Sequence, residues 1–491
     1  MGDRANPSAK KSGKYGRLLQ NTFILTVGTF ISKMLVFLLL PLYTEYLSTS
    51  EYGTADLISN LANFLIPIFC CGLSEGVLRF SLRETTSEGT PRYDRRSVFS
   101  TATVITALGC LLAFLLLPLF CGIEEIGNYG LLVVLYVVSA NLHSIASEYV
   151  RACEKTALYA IQGILNTAFV IGLNLILLLG FDAGIFGYVF SVIGANFLTT
   201  LFLTVVARLD RAFSFGSIRR DTARALLRFS LPLVPGLLLW WVISVSDRYV
   251  LTWITGAEAN GLYVAAAKIP TLLTLLTTVF LTAWKTSAVT EDSGESEAAR
   301  GEKASFFGNV YHGFVALMFC AGAGITLFSR IFAQILFSDE FFPAWQFIPV
   351  LTVGTVFYSL SRFLGSVYFV KEKSIRSTVT AAIAAGINIL LNFLLIPSYG
   401  AFGAAIATLA SYLVEFLIRQ VDATREIRFS ANYLTILLYS VFLGAEVYVV
   451  TAELPYWEIT AVLLTLCILG LSGKTLYRMG KGLIKTILRC S

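Results

Sequence analysis

Charge is scarce in this chain: of its 491 residues only 14% are Asp, Glu, Lys or Arg, against roughly 25% in an average soluble domain. Histidine is scarcer still. His143 and His312 are the only two and lie far apart in sequence, which argues against a histidine-based metal centre. The eight cysteines form no framework; Cys70, Cys71, Cys110, Cys320 and Cys467 sit inside apolar blocks, where a thiol serves as a small hydrophobe. No nucleotide-binding loop is present. Gly470-Leu471-Ser472-Gly473-Lys474-Thr475 imitates one, but the glycine required five residues before Gly473 is Ile468 and no strand precedes it. Transport driven by a nucleotide site in this chain is therefore excluded.

What is abundant is apolar sequence, 56% of the chain. It falls in blocks of about 20 residues, the length a helix needs to cross the hydrocarbon. They lack two-residue alternation, so they read as helices and not barrel strands. About fourteen spans follow, at 20–43, 54–82, 97–121, 128–150, 158–179, 185–207, 226–251, 261–288, 307–329, 344–368, 378–396, 402–419, 431–450 and 456–477. The first is too long for a signal-peptide core and reads as a retained helix.

Nearly all of the 37 Lys and Arg residues lie in the N-terminal segment, the even-numbered connections and the tail. The odd-numbered connections hold only Arg330, with acids such as Glu45, Glu124, Glu258, Asp339 and Glu453. Retention of basic loops inside then places both termini in the cytoplasm. The net charge of +6 reports this topology and gives no reason to expect nucleic acid as a partner. The outward connections are all short, leaving no room for a catalytic loop, so no enzyme is expected.

The chain repeats itself. Glu154-Lys155, Asn174 and Gly184-Ile185-Phe186-Gly187 return as Glu372-Lys373, Asn392 and Gly400-Ala401-Phe402-Gly403. The unit holds six helices, an even number, so the halves enter from the same side and an axis along the membrane normal relates them. The expected organisation is a basic N-terminus (1–19), an N-lobe of spans 1–6 (20–207), a linker (208–225), a C-lobe of spans 7–12 (226–419), spans 13–14 (420–477) and a basic tail (478–491). Arg219, Arg220, Arg224 and Arg228 at the sixth connection, like the basic residues of the tail, fit surface helices on anionic lipid or ordinary stop-transfer charge.

Charges inside spans are costly, about 2.5–3.5 kcal/mol at the bilayer centre, and mark cavities or partners. Lys33 (span 1), Asp56, Glu75 and Arg79 (span 2), Asp247 and Arg248 (span 7), Lys268 (span 8), Arg362 (span 10) and Glu446 (span 13) are of this kind. All but Arg362 and Glu446 fall in spans 1 and 2 and their repeat mates 7 and 8. That pattern predicts a polar cavity between the halves. Its cations Lys33, Arg79, Arg248 and Lys268, with Arg362, suit a phosphate or pyrophosphate. The carboxylates Asp56, Glu75 and Asp247 suit coupling to H⁺ or Na⁺, or internal ion pairs such as Glu75 with Arg79. Membrane potential is the other driving force open to an anionic cargo. No cofactor or metal is expected. Pro67, Pro232, Pro235 and Pro270 lie in spans 2, 7 and 8 and permit kinks.

Several stretches together resemble a known family. They are Pro41-Leu42-Tyr43-Thr44 to Glu51-Tyr52-Gly53, Gly72-Leu73 to Leu78-Arg79-Phe80, Ser246-Asp247-Arg248-Tyr249, Gly261-Leu262-Tyr263 and Ala267-Lys268-Ile269-Pro270. Ala283-Trp284, Ser366-Val367-Tyr368, Asn388 to Asn392, Ile396-Pro397 and Gly403-Ala404-Ala405 complete the set. In this order the chain resembles the Wzx-type oligosaccharide flippases of the multidrug/oligosaccharidyl-lipid/polysaccharide (MOP) exporter superfamily. The resemblance implies an all-α membrane protein with two six-helix lobes, two further helices and alternating access. It implies a cargo of sugars on a polyprenyl (undecaprenyl) phosphate or pyrophosphate, flipped across a bacterial cytoplasmic membrane for capsule, O-antigen-like, exopolysaccharide or teichoic-acid assembly. Polysaccharide polymerases and glycosyltransferases are then expected partners. On the same resemblance Lys33, Arg79, Arg248 and Lys268 would hold the phosphates. A drug/cation antiporter of the same fold is the competing expectation; it calls for an acidic cavity, against which the basic residues of spans 1, 2, 7 and 8 count.

Overall fold

The computed structural model describes residues 34, 37–82, 93–123, 126–290, 297–370 and 374–490. Lys33 and most of span 1 lie outside the described residues. Among those described the regular structure is helical throughout. The helices that bear on the site are α1 (Leu40–Tyr46), α2 (Thr49–Phe69), α3 (Leu73–Ser81), α4 (Arg95–Leu115), α5 (Gly130–Ala152), α6 (Thr156–Asn174), α7 (Gly184–Ala207) and α8 (Arg220–Ser230). They continue with α9 (Val234–Thr255), α10 (Ala257–Lys268), α11 (Thr271–Thr290), α12 (Glu297–Leu327), α13 (Ile348–Val370), α14 (Ser374–Ile427), α15 (Tyr433–Thr451) and α16 (Trp457–Cys490).

Nine of the described helices are long and apolar enough to cross a bilayer, and eleven spans result if each of two bent pairs counts as one. Of the fourteen expected crossings, span 1 lies mostly outside the described residues, span 7 (the helix α9) is not among the eleven, and spans 11 and 12 count as one because they run together in α14 across a break at Gly400. Many large side chains of these helices, including Leu108, Leu115, Val205 and Leu463, are exposed. Such an apolar exterior suits a hydrocarbon solvent.

The chain forms two compact units: residues 1–47 with 51–245, and residues 48–50 with 246–491. The first changes over to the second within α9, and the 208–225 connection belongs wholly to the first. In the first unit Leu73, Val77, Val98, Phe99, Ile145, Val150, Leu203 and Leu226 form a buried cluster. In the second, Trp284, Phe363 and Phe314 stack in series, with centroids 5.2 and 5.3 Å apart. Trp284 Nε1 donates to Ser366 Oγ at 2.9 Å, joining two stretches separated by 82 residues.

The two bent pairs are α2–α3, at 52°, and α10–α11, at 41°. They fall in spans 2 and 8, repeat mates that both carry an internal proline. The first break has a C-cap of the Schellman type. Gly72 N–H donates to Pro67 O at 3.0 Å, Cys71 N–H donates to Ile68 O at 3.2 Å, and Cys71 and Gly72 have φ of 52° and 64°. At the second, Pro270 has no N–H to give; Ile269 N–H takes Ala266 O instead, at 3.3 Å, and Thr271 Oγ1 donates to Lys268 O.

The repeat is legible in the backbone. Gly184 and Gly400 both have positive φ, 50° and 55°, a region that glycine enters without a Cβ penalty. Gly187 and Gly403, three residues on, both permit close approach. A Cβ on Gly403 would lie 2.5 Å from Leu395 O, and one on Gly187 would lie 3.1–3.2 Å from Ala183, Leu177 and Leu178.

The tightest approach fixes the first break. A Cβ on Gly109 of α4 would lie 1.8 Å from Phe69 O at the end of α2. Gly109→Ala is expected to destabilise the first unit by about 2–3 kcal/mol, as overpacking against backbone. Thermal unfolding of the purified protein in detergent checks this, with Gly163→Ala, where nothing lies within 4 Å, as the control expected to be neutral.

Candidate functional site

In the first unit, Asp56 is buried on α2 and accepts from Asn60 Nδ2, one turn on, at 2.8 Å. Tyr43, Tyr52 and Tyr188 form an aromatic cluster, with Tyr43 and Tyr188 edge to face at 4.7 Å; Tyr188 lies within electrostatic reach of Asp56. Glu75 and Arg79 occupy the exposed face of α3 beyond the break. The Arg79 guanidinium sits 4.8 Å over the Phe229 ring of α8, a cation–π geometry. Glu75 is instead within electrostatic reach of Glu148 on α5. Asp56 and Arg79 thus occupy different environments, divided by the Cys71–Gly72 turn.

In the second unit a polar chain connects helices remote in sequence. Asp247 on α9 is buried. Its Oδ1 accepts from Arg248 N–H at 2.9 Å, and its Oδ2 accepts from Tyr263 Oη on α10 at 2.6 Å. Tyr263 Oη also meets Thr408 Oγ1 at 3.3 Å. Asn388 Nδ2 donates to Thr408 Oγ1 and Ser411 Oγ, each at 3.4 Å, and Asn392 Nδ2 donates to Asn388 Oδ1 at 3.0 Å. In an apolar bundle each of these groups needs such a partner. The stretches around Asp247, Tyr263 and Asn388 therefore meet through their side chains.

Beside this chain lies a tyrosine pair, Tyr358 on α13 and Tyr412 on α14, with centroids 4.8 Å apart. Arg362, one turn beyond Tyr358, is exposed, with its guanidinium 5.7 Å from that ring and 3.5 Å from the hydroxyl. Tyr412 is within electrostatic reach of Asp247, Glu415 and Arg248. The pair thus links the neighbourhoods of Arg248 and Arg362. Lys268 lies half-buried at the end of α10, next to the Pro270 break.

Two features escape a charge map. Arg419, which reads as part of the basic twelfth connection, is buried in α14 beside an equally buried Glu415, NH2 to Oε1 at 2.8 Å. Its guanidinium also donates to Thr380 Oγ1 at 2.9 Å, Ser361 O at 3.2 Å and Ser377 O at 3.1 Å. The four-residue spacing was the available signal; the burial had none. Glu446, between α15 and α16, is fully buried and accepts from Thr465 Oγ1 at 3.0 Å, apart from the other candidates. Among the described residues no group of three or more His, Cys, Asp or Glu could hold a metal ion.

Comparison with known proteins fits this arrangement. A comparison with curated proteins finds no match. Among solved structures, the lipid II flippase MurJ in an inward closed conformation superposes with a TM-score of 0.67 at 14% identity, covering 93% of this chain and 99% of MurJ. An inward-facing multidrug resistance MATE family transporter of the MOP superfamily gives 0.59 at 13% identity, covering 81% and 96%. A MOP superfamily transporter from Pyrococcus furiosus, described by a binding pocket of reverse polarity, gives 0.56 at 13% identity, covering 83% and 95%. These likenesses establish the fold, one shared with a flippase and with transporters. The family model for polysaccharide biosynthesis proteins matches residues 18–284, more than half of the chain, which therefore belongs to the polysaccharide biosynthesis protein family.

Proposed function

We propose that the chain flips a polyprenyl-phosphate- or pyrophosphate-linked oligosaccharide from the inner to the outer leaflet of a bacterial cytoplasmic membrane, with both termini cytoplasmic and by alternating access. Family membership supports the polysaccharide context. The observation that carries the anionic cargo is the Arg248–Tyr412–Tyr358–Arg362 neighbourhood. It offers two guanidiniums and two aromatic hydroxyl rims, the chemistry of a phosphate flanked by sugar. Lys33, Arg79 and Lys268 are the other proposed phosphate ligands. Asp56, Glu75 and Asp247 are the proposed sites of H⁺ or Na⁺ coupling. Bent helices in spans 2 and 8 supply the pivots of alternating access.

The test is translocation of a fluorescent polyprenyl-pyrophosphate-linked sugar in proteoliposomes, read by the fraction a membrane-impermeant reductant can quench. Arg248→Ala is expected to slow it about tenfold or more, the loss of a charge-assisted bond worth about 1.5–3 kcal/mol. Unchanged translocation would remove Arg248 from the site. Transport of an organic cation in place of the glycolipid would favour the drug antiporter.

A further inference from the structure

The connection that precedes span 7 holds a feature that the proposed cargo site leaves aside. Helix α8 is divided lengthwise. Thr222, Leu226 and Ser230 form its buried row. Thr222 Oγ1 meets Ser97 Oγ of α4 at 3.0 Å, and Leu226 and Ser230 lie so close to α3 that a Cβ on Gly76 would meet Ser230 Oγ at 2.5 Å. Two residues along, roughly 200° round the helix, Arg220, Arg224 and Arg228 form an exposed row. Among the described residues none of these three has an ion-pair partner.

Three like charges at successive four-residue steps repel one another, and Asp221 is the one acid in this helix, so the row favours a bound anion. The arginines line a groove of about 720 Å³ whose other walls are Ala223, Leu227, Leu231 and Pro232. The groove therefore joins a cationic edge to an apolar floor. Leu231 and, just beyond, Leu233 and Leu237 expose their side chains, so the apolar floor leads directly onto the start of α9. This is the pattern of a helix lying in the membrane interface.

We propose that the Arg220–Arg224–Arg228 groove binds the phosphate head groups of anionic phospholipids in the cytoplasmic leaflet and seats α8 on that surface. The proposal rests on the cytoplasmic assignment of this connection and is independent of the glycan cargo. Charge complementarity selects the ligand: guanidiniums grip phosphate bidentately, while the apolar floor accommodates the first methylenes of the acyl chains.

Amide hydrogen exchange of the full-length protein in nanodiscs tests this without any transport assay. In discs of phosphatidylcholine containing phosphatidylglycerol, peptides covering 218–231 should exchange about tenfold or more slowly than in pure phosphatidylcholine, since each surface arginine contributes roughly a fivefold preference for anionic lipid. The triple variant Arg220→Gln/Arg224→Gln/Arg228→Gln should lose that difference while peptides of α4 keep their protection, showing that the fold is intact. A third disc type, phosphatidylcholine with a few per cent of polyprenyl pyrophosphate, separates the sources of phosphate. Equal exchange in the first two discs, a triple variant still slowed by phosphatidylglycerol, or slowing by polyprenyl pyrophosphate alone would each overturn the assignment. The last outcome would leave the flippase reading standing and make the groove part of it.

Discussion

Arg419→Ala is expected to destabilise the second unit by about 3–5 kcal/mol, because it strands Glu415 as a buried charge without its cation. Both side chains are nearly inaccessible, at 6% and 5% exposed, and the guanidinium joins α13 to both parts of α14 through Ser361, Ser377 and Thr380. Gly365 leaves room for it; a Cβ there would lie 3.2 Å from Arg419 NH1. The measurement is thermal unfolding in detergent, followed by intrinsic fluorescence. The double variant Arg419→Met/Glu415→Gln should recover most of the loss, since a neutral pair of similar volume avoids the uncompensated charge. A double variant that melts no higher than Arg419→Ala would place the stability in the bonds to Ser361, Ser377 and Thr380 instead.

The second large effect is expected at Asp247. Its two oxygens accept from two donors, Arg248 N–H and Tyr263 Oη. Asn has a single acceptor oxygen and adds an N–H₂ of its own, so Asp247→Asn weakens the charge-assisted bond from Tyr263 Oη and removes the ionisable group. Under a Na⁺ or pH gradient, translocation of the fluorescent glycolipid should fall about 10–100-fold, following the 1.5–3 kcal/mol worth of a charged hydrogen bond. The dependence on the gradient should disappear with it. Tyr263→Phe, which retains the carboxylate, should slow transport yet preserve the gradient response. A gradient response that survives in Asp247→Asn would remove Asp247 from ion coupling.

Much of the architecture is local information. Hydrophobic blocks mark crossings because a helix in hydrocarbon must satisfy its own backbone, and α4 to α7, α12, α13, α15 and α16 lie where those blocks fall. Pro67 and Pro270 are visible as residues that cannot donate, and both sit at breaks. Gly184 and Gly400 are visible as repeat marks, and both have positive φ. The boundary of span 7 is where local reading slips. Residues 226–230 are apolar enough to read as the start of a crossing, but they close the amphipathic helix α8, whose buried row of Thr222, Leu226 and Ser230 packs on α3 and α4.

By itself the sequence determined the membrane class, the basic and acidic alternation between apolar blocks, the internal repeat and the roster of charges within those blocks. Hydropathy and spacing are sums over neighbouring residues, and those properties are set by neighbours. Only the tertiary structure decided which charges have partners. Asp247 meets a tyrosine 16 residues away, and Arg419 is clamped from positions 39 to 58 residues away. A span buried against other helices and one facing lipid are equally apolar, so the sequence cannot say which way Arg419 points. The structure therefore moves Arg419 from the basic twelfth connection into the core, and separates the arginines of α8, which form no ion pair among the described residues, from those that do.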